Sequence, residues 1–195
     1  RRGIAGNGAA FPLKRSSFMK RLSLRNLVFL ALCCDLGLAA KRLINPLANI
    51  VTDSLHIPGG IGTSFSLMFL VIAAALVPHF GCATLAGAAQ SGTALCLGMV
   101  GSMGALSPIG YILPGLAVDL TMAAGRKTGV PQKEQMVIAN LLAGVCASFT
   151  ANCIIFRLRG AALALYLCVA AVSGGICGLS GAQITKRLTP VFRTE

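Results

Sequence analysis

GAALALYLCVAAVSGGICGLSGAQ, residues 160–183, is the stretch that decides the fold, because it carries no charged side chain and is long enough to cross a lipid bilayer. A hydrocarbon core about 30 Å thick needs roughly 20 predominantly apolar residues in a helix. Comparable apolar stretches lie upstream at residues 26–44, 61–78, 82–100, 107–125 and 135–156. The sequence therefore predicts an all-α membrane protein that forms a bundle of six transmembrane helices.

The composition agrees with this interpretation. Hydrophobic residues make up 55% of the chain and charged residues only 11%, and the glycines lie mainly inside the apolar stretches. A soluble domain of this size carries about twice that share of charged residues. We expect residues 1–25 to form a basic cytoplasmic N-terminal tail, 26–187 the transmembrane domain and 188–195 a cytoplasmic C-terminal tail.

The orientation follows from the basic residues in the connections. With a cytoplasmic amino terminus, thirteen lysines and arginines fall on the cytoplasmic side and four, Lys41, Arg42, Arg157 and Arg159, on the other. The positive-inside rule then places both termini in the cytoplasm, which requires an even number of spans. Because the basic residues flank spans, the net charge of +12 does not indicate a nucleic-acid-binding protein.

The cysteines are interpreted as small packing residues rather than as ligands or disulfide partners. They lie in apolar stretches, with no C-x-x-C spacing and no histidine near enough to complete a zinc site. No metal or cofactor is therefore expected. The eight are Cys33, Cys34, Cys82, Cys96, Cys146, Cys153, Cys168 and Cys177.

The longest predicted connection is residues 45–60, between the first two spans. It is bounded by Pro46 and Pro58 and carries several polar side chains, which predicts a folded external loop above the bundle. The cytoplasmic connections are short and leave no room for a nucleotide-binding domain. No G-x-x-x-x-G-K-[ST] phosphate loop is present.

This order of features resembles the substrate-capture subunit, or S component, of energy-coupling factor vitamin transporters. The resemblance rests on the six-helix layout, the Pro-Gly-Gly at 58–60, the third-helix opening at 81–87, the Leu-Gly at 97–98 and the fourth-helix segment at 110–120. It implies a prokaryotic cell-membrane protein that binds a water-soluble vitamin or related micronutrient and is not an enzyme. It also implies partners, namely a membrane coupling subunit and two ATPases, which the first helix would meet through Cys33 and Gly37.

The predicted substrate site lies at the external ends of the helices, beneath the first loop. Polar side chains inside a membrane span are candidates for function, and amides and phenols can orient a polar ring. With Gln90 at mid-depth, the predicted substrate-binding residues are Asn49, His56, Gln90, Tyr111, Asn152, Arg157 and Tyr166.

Two other classes of protein remain open. In a proton-coupled secondary transporter acting as a homodimer, Asp35 and Asp119 would relay protons. In a structural subunit of a membrane complex, the same polar groups would serve packing alone. Asp119 lies toward the cytoplasmic side of the fourth span, which favours a structural role for it.

Overall fold

A computed structural model describes residues 24–54, 61–77, 79–98, 104, 106–155, 157 and 159–193. Within these residues the structure is all-helical and contains no strand, which confirms the predicted fold class at that level. The helices are α1 (Leu24–Ser54), α2 (Ile61–Leu76), α3 (Cys82–Cys96), α4 (Ser107–Thr128), α5 (Gln132–Thr150), which continues into a π-helical turn (Ala151–Ile155), and α6 (Ala161–Arg193).

Three helices are long and apolar enough to span a membrane by length and composition: Ser107–Thr128, Gln132–Cys153 and Ala161–Pro190. The other three depart from that pattern in different ways. Helices α2 and α3 have 16 and 15 residues, or roughly 24 and 22 Å at 1.5 Å per residue. Helix α1 is long enough but carries Asp35, Lys41 and Arg42 between its apolar residues.

Helix α2 forms the centre of the bundle, and each of the other five helices packs against it. Its side chains from Leu67 to Ala74 are buried almost without interruption, with Phe69 partly buried. The stretch from Leu67 to Leu76 carries no polar side chain and is therefore suited to contacts with neighbouring helices on every side.

Two pairs of helices approach closely through glycine. A Cβ atom placed on Gly115 of α4 would lie 2.6 Å from the Ala83 carbonyl oxygen of α3. A Cβ atom on Gly178 of α6 would lie 2.9 Å from Val137 Cα of α5. Both sites leave room for a hydrogen atom only, as expected where small residues bring membrane helices into contact.

The prediction of a loop beginning at Asn45 is wrong for residues 45–54, because α1 continues through Pro46 to Ser54. Proline removes one backbone hydrogen bond, but membrane helices tolerate it where neighbours satisfy the freed groups. Helix α6 likewise passes Pro190 and ends at Arg193, inside the segment predicted as a C-terminal tail. Residues 55–60 lie outside the described residues.

Contacts between helices fix their relative directions. Tyr111 of α4 lies beside Gly87 of α3, and Asp119 lies beside Ala83, so α3 and α4 are antiparallel. Helices α5 and α6 are antiparallel for the same reason, because Gly174 contacts Leu141 and Gly178 contacts Val137. The bundle consequently has two ends. We call the end with the α5–α6 turn and Tyr111 the Arg157 end, and the end where α4 meets α5 the Lys133 end.

Candidate functional site

At the Arg157 end, a cleft of about 510 Å³ opens at the turn between α5 and α6. Its lining residues are Cys153, Arg157, Arg159, Gly160 and Leu163. Both arginine side chains are exposed. The volume is within the range of small-molecule sites, and two guanidinium groups provide several fixed donors for a carboxylate or phosphate.

The backbone around this cleft departs from regular helix. Ala151–Ile155 forms a π-helical turn, and Arg157 has a φ of 49°, the one positive φ found at a non-glycine residue in the described part of the chain. Gly160, with a φ of 74°, then reverses the chain into α6. A non-glycine residue in this conformation costs about 1 kcal/mol or more, and such strain and π-helical turns are frequent at functional sites.

Tyr111 occupies a different side of the same end. The Lys41 ammonium donates a hydrogen bond of 3.2 Å to the Tyr111 hydroxyl and lies 4.7 Å from the centre of its ring. Lys41 thus joins α1 to α4 by a hydrogen bond and a cation–π contact. Lys41 was not among the predicted site residues, although a lysine one turn beyond Gly37 in an apolar stretch was a visible signal.

Gln90 lies inside the bundle and serves to join two helices. Its side chain is 2% exposed, and its Nε2 donates to the Cys34 carbonyl oxygen at 3.2 Å. The Cys34 thiol in turn donates to the Ala86 carbonyl oxygen at 3.4 Å. That Gln90 binds substrate stays a prediction, and in this structure its amide nitrogen has a backbone partner on α1.

Asn152 is also buried, and its Nδ2 donates to the Ser148 carbonyl oxygen at 2.8 Å, within the same helical segment. Tyr166 is half-buried on the second turn of α6 and is not among the residues that line the cleft. Among the predicted residues whose side chains the structure describes, only Arg157 lines the cleft. The side chain of Asn49 and the whole of His56 lie outside the part of the chain that the structure describes.

The predicted partner interface is occupied within the chain itself. Cys33 is 7% exposed, and a Cβ atom on Gly37 would lie 2.7 Å from Gln90 Nε2 and 3.3 Å from the Ser66 carbonyl oxygen. This face of α1 packs against α2 and α3, so it is not available to another subunit. An interface at Cys33 and Gly37 stays a prediction, and in this arrangement of the helices both residues are covered within the chain.

The carboxylates of Asp35 and Asp119 have opposite surroundings. Asp119 is 4% exposed and accepts hydrogen bonds from the Ala83 and Thr84 backbone amides at 3.1 and 2.8 Å and from the Thr84 hydroxyl at 2.7 Å. It caps the amino terminus of α3 from a neighbouring helix, which supports the predicted structural role. Asp35, in contrast, is exposed and has no side-chain partner among the described residues.

No group of three metal-ligating side chains occurs among the described residues. The described cysteines are all free thiols, and Cys33, Cys34, Cys82 and Cys177 are buried, which confirms a packing role for these four. No family model matches the chain, and neither a curated protein nor a solved structure matches it.

Proposed function

We propose that this chain is a six-span substrate-capture subunit of the energy-coupling factor type, with both termini in the cytoplasm, and that it binds an anionic micronutrient at the Arg157 end. The cleft lined by Arg157 and Arg159 is the observation that carries this proposal. By the positive-inside rule, the charge bias of the sequence favours an external position for that end, where a nutrient arrives.

The chemistry of the cleft supports an anionic group on the ligand. Two exposed guanidinium groups lie at a turn whose other lining residues are Cys153, Gly160 and Leu163. Leu163 and Cys153 supply apolar surface against which an organic part of the ligand can pack, while Arg157 and Arg159 bind its carboxylate or phosphate. Lys41 adds a positive charge at the same end of the bundle.

A coupling subunit would dock on the outer face of α1 rather than on the face of Cys33 and Gly37. The outer face presents Leu32 and Leu36 beside Asp35, all exposed. A carboxylate directed into lipid is costly, and intramembrane carboxylates almost always face protein or water. A partner with a donor opposite Asp35 would remove that cost.

The proposal is tested by equilibrium binding to purified protein. Thiamine monophosphate, pantothenate and biotin carry anionic groups, whereas thiamine carries none and serves as the comparison ligand. We expect an anionic compound to bind, and Arg157→Gln with Arg159→Gln to weaken that binding at least tenfold. The matched control, Lys127→Gln with Arg187→Gln, removes two exposed charges from the opposite end and should leave the affinity within twofold. Equal losses in both double variants would contradict the site.

The partner is tested by purification from the native membrane. We expect a membrane subunit and ATPases with a phosphate-loop motif to co-purify with the unaltered chain but not with Asp35→Leu. Uptake into liposomes by the chain alone, driven by a proton gradient, would instead favour the homodimeric transporter. A structural subunit would be favoured if the chain bound none of these compounds and co-purified with membrane proteins other than a coupling subunit and ATPases.

A further inference from the structure

A second cavity, of about 620 Å³, lies at the Lys133 end between the first turn of α5 and the last turns of α6. Lys133 of α5 and Lys186 of α6 both line it. Gln132, Gln183 and Thr185 add polar groups, and Met136 forms part of the apolar wall. It is distinct from the cleft at Arg157, because the two lie at opposite ends of the same pair of helices.

The electrostatic surroundings favour an anion. Lysines from two facing helices contribute their charges, and the amino terminus of α5 adds the positive end of a helix dipole. No side chain caps that terminus, since its N-cap residue is Pro131. Glu134 lies in the same first turn but does not line the cavity.

Thr185 provides an independent observation. It lines the cavity, is 3% exposed, and its Oγ1 has no hydrogen-bond partner among the described residues. Other helical threonines such as Thr121 and Thr150 donate to the carbonyl four residues earlier. A buried hydroxyl without a partner is unfavourable by about 1–3 kcal/mol, and an acceptor bound in the cavity that Thr185 lines would remove that cost.

The position of the cavity identifies the source of that acceptor. Both helices that bound it are among the three long and apolar enough to cross a membrane, and the cavity lies at their ends. This is the level of lipid headgroups. Basic pockets between membrane helices on the cytoplasmic side are suited to anionic headgroups.

We propose that this cavity binds the phosphate group of an anionic phospholipid. Lys133 and Lys186 bind the phosphate oxygens, Thr185 donates to one of them, and Met136 contacts the glycerol or the start of an acyl chain. The site does not depend on the nutrient bound at the other end. The cavity would hold one anionic lipid at the point where α5 and α6 enter the bilayer.

The test uses delipidated full-length protein in detergent and three probes: short-chain phosphatidylglycerol, short-chain phosphatidylcholine and inorganic phosphate. Native mass spectrometry counts bound lipid, and a titration gives the affinity. We expect one phosphatidylglycerol to bind at least tenfold more tightly than phosphatidylcholine. If inorganic phosphate bound through the same residues as tightly as phosphatidylglycerol, the cavity would be a phosphate site whose ligand is free phosphate and not a lipid.

Two variants locate the site. Lys133→Gln with Lys186→Gln should reduce the affinity for phosphatidylglycerol about tenfold or more. The matched control, Lys127→Gln with Arg187→Gln, removes two exposed charges at the same end and should change the affinity less than twofold. Thr185→Val, which alters no charge, should weaken binding severalfold, and it remains informative if the double variant fails to fold. Equal affinity for both lipids, or equal losses in the lysine variant and its control, would overturn the proposal.

Discussion

Both ends of the bundle carry exposed cations at a cavity, but only the Lys133 end also has polar side chains of the described residues that complete the termini of neighbouring helices. Toward the Lys133 end, Asp119 caps α3, while Arg126 and Gln132 donate to the Ala74 and Ala75 carbonyl oxygens in the last turn of α2 at 3.2 and 3.3 Å. At the Arg157 end, two exposed arginines line a cleft beside an irregular turn. Polar groups that complete helix termini hold the fold, whereas exposed cations in a cleft are available to a ligand.

The largest effect is expected from removal of the cap on α3. Asp119→Ala would leave two backbone amides and the Thr84 hydroxyl without their acceptor, all close to the packed α3–α4 contact. We expect a loss of about 3 kcal/mol or more in stability, since each buried donor left unpaired costs about 1–3 kcal/mol. Thermal unfolding in detergent measures this. Asp35→Ala is the matched control, and an equal loss there would contradict the distinction between the two carboxylates.

The next effect concerns the close contact of α3 and α4. Gly115→Ala places a methyl group 2.6 Å from the Ala83 carbonyl oxygen and 3.0 Å from Thr84 Cα, so the two backbones must separate. Overpacking of this kind costs about 1–3 kcal/mol. Gly175→Ala in α6 meets nothing within 4 Å and should be neutral or stabilising by up to about 1 kcal/mol. Thermal unfolding in detergent compares the two variants. Equal destabilisation by both would contradict a close α3–α4 contact at Gly115.

A smaller effect is expected at the carboxyl terminus of the central helix. Arg126→Gln removes a charged donor from the Ala74 carbonyl oxygen. This carbonyl lies at the carboxyl terminus of α2, where the helix dipole favours a positive charge. We expect a loss of about 1 kcal/mol in unfolding free energy. Lys127→Gln, one residue further along α4 and exposed, is the control that should leave the melting temperature nearly unchanged.

The smallest structural effect should come from Tyr111→Phe at the other end. The substitution removes the hydrogen bond with Lys41 but keeps a ring for the cation–π contact. Stability should fall by at most about 1 kcal/mol. A loss as large as that of Asp119→Ala would show that the Arg157 end also holds the fold through its polar groups.

Much of the fold could be predicted from hydropathy, because apolar stretches long enough for a span have few alternatives to helix. The predicted starts of α2, α3 and α4 at residues 61, 82 and 107 agree with the structure. Helices α1 and α6 continue beyond their predicted ends. Proline and charged residues show where a stretch stops being apolar, but the helical hydrogen bonds can continue past that point. Segments 45–54 and 188–193 are polar or proline-containing and still helical.

The candidate site was harder to predict, because it depends on what each polar group faces. Gln90 and Asn152 were reasonable candidates as polar groups in apolar helices, but both amide nitrogens donate to backbone carbonyls. Which carbonyl lies opposite depends on helix packing, and the sequence does not encode it locally. Arg157 was predictable because its charge interrupts the apolar pattern at a connection.

The proposed function requires the two ends of the bundle to face opposite sides of a membrane. Cysteine introduced at each end tests this with a membrane-impermeant maleimide on intact cells, followed by mass spectrometry of the labelled peptides. We expect Arg159→Cys to react in intact cells and Lys133→Cys only after permeabilisation, with the unaltered chain giving the background of its own thiols. Reaction of both positions from the same side of the membrane would contradict the account.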